Sequence, residues 1–197
     1  MIIIGITGKY CAGKNTAAEI LNGSGYEVID VDALGHDALR RENERVIKRF
    51  GSQIAAGGGE IDRNRLSRIV FSDSAALKDL ELIVHPVMVA MVEERVAELR
   101  ALVPGPVGVA VNAAVLFRMN LTRMCDLVLY IHAPFWVRYR RASERDQASF
   151  FAVVRRLGSQ RDVAPQFSGM DADIHSVRND GSREQLRAKL ETLLSLP

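Results

Sequence analysis

Three stretches of the chain are apolar with almost no alternation: Met1-Ile2-Ile3-Ile4-Gly5-Ile6, Val107-Gly108-Val109-Ala110-Val111-Asn112 and Leu127-Val128-Leu129-Tyr130-Ile131-His132. Unbroken apolar runs of this length predict strands covered on both faces, as in a parallel sheet. Two shorter segments predict further strands: Tyr26–Asp32, ending in the carboxylates Asp30 and Asp32, and Asp173–Val177. Between them the apolar positions recur at helical spacing. Thr16–Leu21 predicts a first helix, and Ala33–Phe50 an amphipathic one with Leu39, Val46 and Phe50 on its stripe, stopped by Gly51. After Gly57-Gly58-Gly59 another helical run passes through Ile69, Val70 and Phe71. From Ser74 to Leu102 the pattern predicts one long helix or two, with Pro86 inside as a kink. A capping box, Ser182-Arg183-Glu184-Gln185, opens the last helix. Strand, helix, strand within about thirty residues is a right-handed βαβ unit, so the class is α/β with a parallel sheet. The helical insertion of residues 33–102 reads equally as an acceptor-binding subdomain or as extra helices flanking the sheet.

The turn after the first strand carries the candidate chemistry. Gly8-Lys9-Tyr10-Cys11-Ala12-Gly13-Lys14 has the spacing of a phosphate loop, in which small residues let backbone N–H groups surround a triphosphate and Lys14 reaches the β and γ phosphates. The helix that follows aims its positive end at the same anion. Asn15 stands where a Ser or Thr hydroxyl normally ligates magnesium, and Thr16 comes one residue late. A strand-to-helix turn with no ligand is the plain alternative. In open α/β sheets the crevice lies beyond the carboxyl ends of the strands, which would bring Asp30 or Asp32 to the phosphates as a base; capping the next helix is the other role for Asp32.

Composition narrows the class. The chain has 48% hydrophobic and 25% charged residues, ordinary for a globular protein, and a formal charge of +2 gives no sequence-wide basic field for nucleic acid. No apolar run approaches the ~20 residues needed to cross a bilayer, and the N-terminus enters a strand directly, so a cytoplasmic location is expected. Cys11 and Cys125 make no disulfide framework or metal spacing; Cys11 reads as a small loop filler or as a thiol activated by the loop. From Trp136 to Arg161 the chain is arginine-dense, with Arg138, Arg140, Arg141, Arg145, Arg155, Arg156 and Arg161. These residues read as a phosphate-closing lid or as a plain basic surface.

With these pieces in place the chain resembles the dephospho-coenzyme A kinase family, almost end to end. The resemblance rests on the phosphate loop and on Ile29-Asp30-Val31-Asp32-Ala33-Leu34-Gly35-His36. It rests also on Asp62-Arg63, Ile69-Val70-Phe71 and His85-Pro86, on Ala114-Val115-Leu116-Phe117, on Arg141, Arg145-Asp146 and Ser159-Gln160, and on Ala172-Asp173 through Asn179. It implies one P-loop kinase domain over residues 1–197: a five-stranded parallel core (1–32, 103–135, 168–197), a helical acceptor-binding subdomain (33–102) and an arginine lid (136–167). It further implies ATP and Mg2+ as cofactors, and Asp32 as the base that takes the proton from the ribose 3′-hydroxyl of dephospho-CoA. Lys14 and Arg141 are implied as catalytic partners. Gly8, Cys11, Ala12, Gly13, Lys14, Asn15, Thr16, Arg141 and Asn179 are implied at the nucleotide, Asn15 and Thr16 at the metal. His36, Arg63, Phe71, His85 and Leu116 are implied beside Asp32 at the acceptor. The chain departs from the family pattern at Asn15, Lys9, Asn112, Ala114 and Arg118.

Three rivals share some of these features. Another small-acceptor kinase would lack the Asp-Arg and His-Pro markers. A GTP-binding switch is suggested by Asp32-Ala33-Leu34-Gly35, but that segment follows the loop too closely and no base-reading Asn/Thr-Lys-x-Asp motif occurs at any of the five lysines. A nucleotide-binding protein with reduced catalysis is suggested by Asn15 and Arg118. The expected partner is a small molecule, without nucleic acid or membrane, and the sequence favours neither a monomer nor a homo-oligomer.

Overall fold

The computed structural model of the chain describes residues 1–146 and 173–194. The expected lid residues Arg155, Arg156, Ser159, Gln160 and Arg161 lie outside the described residues. Two compact units are present, one of Met1–Asp30 with Glu98–Pro197 and one of Val31–Ala97.

The first unit is built on a five-stranded sheet: β1 (Ile2–Gly8), β2 (Tyr26–Asp30), β3 (Gly108–Asn112), β4 (Leu127–His132) and β5 (Asp173–Arg178), in the order β2-β3-β1-β4-β5, with every pair parallel. The three unbroken apolar runs become its three central strands, where both faces are covered. Helices α1 (Lys14–Asn22) and, at the end of the chain, α7 (Arg183–Leu194) enclose one core cluster with the sheet, in which Ile6, Ile20, Leu21, Leu129, Ile131 and Leu190 are buried. Truncating one such side chain to Ala removes about 2–5 kcal/mol. The capping box forms as expected. Gln185 N–H donates to Ser182 Oγ at 3.3 Å, and Ser182 N–H donates to Gln185 Oε1 at 2.9 Å. Helix α6 (Phe135–Asp146) follows β4. Because β1 lies between β3 and β4, its carboxyl end is a switch point of the strand order, where open α/β sheets receive their ligands.

The second unit is helical: α2 (Val31–Arg41), α3 (Asn43–Phe50), α4 (Arg63–Ser72) and most of α5 (Ser74–Ala101). Val46, Phe50, Ile54, Leu66, Val70 and Ala76 form its core. The expected strand through Asp32 is shorter in the structure. It ends at Asp30, and the buried Val31 opens α2, which places Asp32 in the first turn of a helix, where a carboxylate is stabilised by the dipole. The expected helix over residues 33–50 is two helices, interrupted at Glu42. Gly51, at φ 87°, terminates the second as read from the sequence. Residues 74–101 form one helix, not two, and Pro86 is accommodated inside it. The start of α4 is fixed by Asp62, whose side chain accepts from the Asn64 and Arg65 amides.

Candidate active site

The turn leaving β1 has the features of a phosphate loop. Gly8, at φ 150°, is pressed against the Ile131 carbonyl so closely that a Cβ would overlap it. Gly13, the residue before α1, has φ 99°, a left-handed conformation that favours glycine. Between them Cys11 also takes a left-handed conformation at φ 56°, and Ala12 N–H donates to Lys9 O at 3.0 Å, closing the turn. Lys14 is the first residue of α1, and its ammonium donates to Gly8 O at 3.5 Å, inside the loop. Among the expected loop residues Ala12 is wholly buried, and its carbonyl is an anchor point.

Two residues far along the chain hold that anchor. Asn179 is buried, its Nδ2 donates to Ala12 O at 2.8 Å, and its own N–H donates to His132 O at 2.8 Å. Arg141, on α6, donates from its guanidinium to Asn179 O at 3.1 Å and to Ala12 O at 3.4 Å. A Cβ on Gly13 would overlap the Asn179 amide. Loop, α6 and the end of β5 therefore interlock, and the Arg141 cation is fixed at the loop by carbonyl oxygens, a favourable charge for a bound phosphate. One turn further on, the Arg145 guanidinium lies over the Tyr10 ring, 4.7 Å from its centroid. Cys11, with Tyr10 and Tyr139, packs against the buried Ala142.

The late arginines do not act alike. Arg138 is buried and donates from Nε to Ala133 O at 3.2 Å, and burial pushes its pKa down; it supports α6 from within. Arg140 faces Glu144 at 3.7 Å one turn on, an exposed i,i+4 pair on the helix surface.

Asn15, at the second position of α1, accepts a hydrogen bond from Asn112 Nδ2 at 3.1 Å at the end of β3. Asn112 Oδ1 is buried without a hydrogen-bond partner. With the carboxylates Asp30 and Glu19 lining the same groove, this edge offers oxygen donors, the ligand type that hard divalent cations take. Thr16 faces partly toward solvent one residue on.

In the helical unit α2 carries Asp32, His36 and Arg40 at four-residue spacing, on one helical face. His36 and Arg40 line a cleft of about 580 Å³ together with Leu39, Asn43, Glu60 and Arg63. The cleft brings together His36 and Arg63, two of the residues implied at the acceptor. Phe71 stands on α4 with 84% of its surface exposed, and the half-buried His85 precedes Pro86 in α5. Leu116, expected at the acceptor, is wholly enclosed in the first unit near Gly5 and offers a ligand no surface. Cys125 is enclosed there too, and burial, reinforced by Asp126, pushes its thiol up to about 12.

The model of the dephospho-CoA kinase family matches residues 2–185. The dephospho-CoA kinase of Geobacter sulfurreducens is 34% identical over 197 residues, covering 98% of this chain and 97% of that protein. A crystal structure from Thermus thermophilus superimposes with a TM-score of 0.79 at 34% identity, covering 100% of this chain and 98% of the other. The dephospho-CoA kinase structure from Campylobacter jejuni gives 0.61 at 25% identity over 98% and 95%. With the parallel sheet, the braced loop after β1 and a match over nearly its whole length, the chain belongs to the dephospho-CoA kinase family.

Proposed function

We propose that this protein transfers the γ-phosphoryl group of ATP to the ribose 3′-hydroxyl of dephospho-CoA, the last step in making coenzyme A. The observation that carries this reading is the loop Gly8–Lys14 at the switch point of the sheet, braced at the Ala12 carbonyl by Asn179 and Arg141, in a chain whose family match is nearly complete.

The roles follow from the chemistry. The loop amides and the start of α1 bind the phosphates, and Lys14 neutralises charge on the β and γ groups. Arg141, held in place by two carbonyls, keeps a guanidinium at the transferring group without reorganisation. Asn179 acts by fixing Ala12, since its donor is already engaged there. Asp32, in the first turn of α2, is the base that accepts the 3′-hydroxyl proton. The cleft further along the same helix, with His36, Arg40 and Arg63, suits an anionic small molecule bearing phosphates, and so fits the acceptor. Asn15 and Asn112 supply the neutral oxygens nearest the loop that suit magnesium, with Thr16 next in sequence. Magnesium, when bound with ATP, shields the negative charge of the β and γ phosphates from the incoming hydroxyl. Phe71 and His85 are proposed to extend the acceptor surface, and Cys11 to fit the loop as a small residue. Residues 136–167 are proposed as the lid.

Among the described residues no helix is long and apolar enough to cross a membrane. The proposed setting is the cytoplasm, with a small-molecule partner and neither nucleic acid nor membrane. Purified protein given ATP, Mg2+ and dephospho-CoA should yield ADP and a product phosphorylated at the 3′ position, identified by phosphorus NMR. Turnover of a different small acceptor, with none of dephospho-CoA, would overturn the assignment.

A further inference from the structure

Beside the phosphate loop the first unit contains a groove of about 320 Å³ lined by Asn15, Glu19, Asn22, Asp30 and Asn112 among others. Two amides meet in it. Asn112 Nδ2 donates to Asn15 Oδ1 at 3.1 Å, while Asn112 Oδ1, on a residue only 3% exposed, accepts from nothing. An acceptor removed from water with no donor is destabilising unless something in the functional state satisfies it. Its surroundings indicate what that is. Asn112 is the register partner of Asp30 on β2, so both side chains leave the same face of the sheet, and Glu19 lines the groove from α1. Partners in such a place are cationic or are water molecules polarised by a cation.

We propose that Asn15 and Asn112 form one neutral receiver for the cation of a magnesium–nucleotide complex, with Asn112 Oδ1 as the accepting atom, so that the divalent ion enters with the nucleotide and is not held by the protein beforehand. This rests on the loop being a nucleotide site, as proposed above. Two of the departures of the sequence from its family, 97 residues apart in the chain, are thereby a single change, because each amide needs the other: Asn15 Oδ1 takes one Asn112 proton, which orients the Asn112 amide and leaves Oδ1 as its unpartnered acceptor. Magnesium keeps several of its waters, and a neutral amide oxygen accepts from a hydrated cation while adding no charge that would attract the bare ion. Asp30 and Glu19 are exposed, so solvent and salt screen them, and the triphosphate supplies the main attraction.

The probe is Mn2+, followed by the electron paramagnetic resonance signal of the free ion, titrated with protein alone and with a non-hydrolysable ATP analogue. Without nucleotide the parent should bind Mn2+ weakly, and Asn112→Ala no differently. With the analogue, Asn15→Ala, Asn112→Ala and the double variant should each lower affinity for the Mn–nucleotide complex by a similar factor, about tenfold. Asn112→Asp, which puts a carboxylate beside Asp30, should raise nucleotide-free Mn2+ affinity about tenfold or more. Asn112→Ser, smaller but still an acceptor, should retain more Mn–nucleotide affinity than Asn112→Ala, which supplies a second route if the Asp variant does not fold. Losses that multiply in the double variant, or a parent that holds Mn2+ equally well without nucleotide, would overturn the proposal. So would a folded Asn112→Asp protein with weakened nucleotide binding, since the groove would then face phosphate with an amide donor. Failure of the parent to bind the analogue at all would instead overturn the proposed function.

Discussion

Replacing Asn179 tests the architecture of the loop more sharply than replacing any residue that touches phosphate. Asn179→Ala removes the Nδ2 donor that meets the Ala12 carbonyl at 2.8 Å in a buried site, and leaves the backbone bond from Asn179 N–H to His132 O intact. Among the described residues the carbonyl then keeps the longer 3.4 Å contact with Arg141. A lost buried hydrogen bond with a stranded acceptor costs about 1–3 kcal/mol. For a chain of this size each kcal/mol lowers Tm by about 2–4 °C, so a melt followed by circular dichroism should drop by about 2–12 °C. The same free energy, to the extent that ATP binding requires the loop in place, weakens affinity for an ATP analogue by at most roughly 5- to 150-fold. Asn179→Asp should be worse than Ala, because a carboxylate oxygen would face the Ala12 carbonyl oxygen and place a negative charge at the phosphate site. A melt within about 1 °C of the parent for both variants, with unchanged analogue affinity, would refute the idea that Asn179 holds the loop.

Asp32→Asn keeps size and polarity but removes the base, so kcat should fall roughly 10²- to 10⁴-fold with ATP-analogue affinity little altered; a rate within a few-fold of the parent, or an inactive Asp30→Asn beside an active Asp32→Asn, would exclude Asp32 as the base. Cys11→Ser should leave ATP affinity within a few-fold, whereas Cys11→Val, β-branched at φ 56°, should destabilise the fold by about 1–3 kcal/mol in urea melts. Cys125 has its folded-state pKa raised from 9.0 to about 12, so the unfolded thiol ionises first: its contribution is intact below pH 9 and is lost as pH rises toward 12, at about 1.4 kcal/mol per unit. Urea midpoints measured from pH 8 to 11 should therefore fall less steeply in Cys125→Ala than in the parent, and equal slopes would contradict the burial of that thiol.

Much of this molecule is determined locally, and those parts were legible in the chain. Residues 2–6, 109–111 and 128–131 are apolar without alternation because central parallel strands are covered on both faces, and that condition leaves its mark on every residue. The loop is legible for a similar reason: glycine at 13 and lysine at 14 meet demands set by their immediate neighbours, a left-handed turn and a place at the start of α1, although the close approach of Gly8 to Ile131 is itself a tertiary contact. The capping box at Ser182 and Gln185 is an interaction across three residues, and it formed as read. What needed the tertiary structure were decisions between distant segments. Val31 belongs to a helix, not a strand, because it is buried at the start of α2, which moves Asp32 from a strand end to a helix turn. Arg138 and Arg141, three residues apart and chemically identical, differ because one is enclosed beneath the Ala133 carbonyl while the other reaches Ala12 and Asn179. Leu116 is a core residue for the same kind of reason, since its surroundings include Gly5, more than a hundred positions earlier. Asn15 and Asn112 each read as an isolated departure, and only the sheet, by placing the end of β3 beside the start of α1, makes them hydrogen-bonded partners. Local propensity and spacing act within a turn or two of chain, whereas burial and long-range hydrogen bonds depend on which segments the topology brings together.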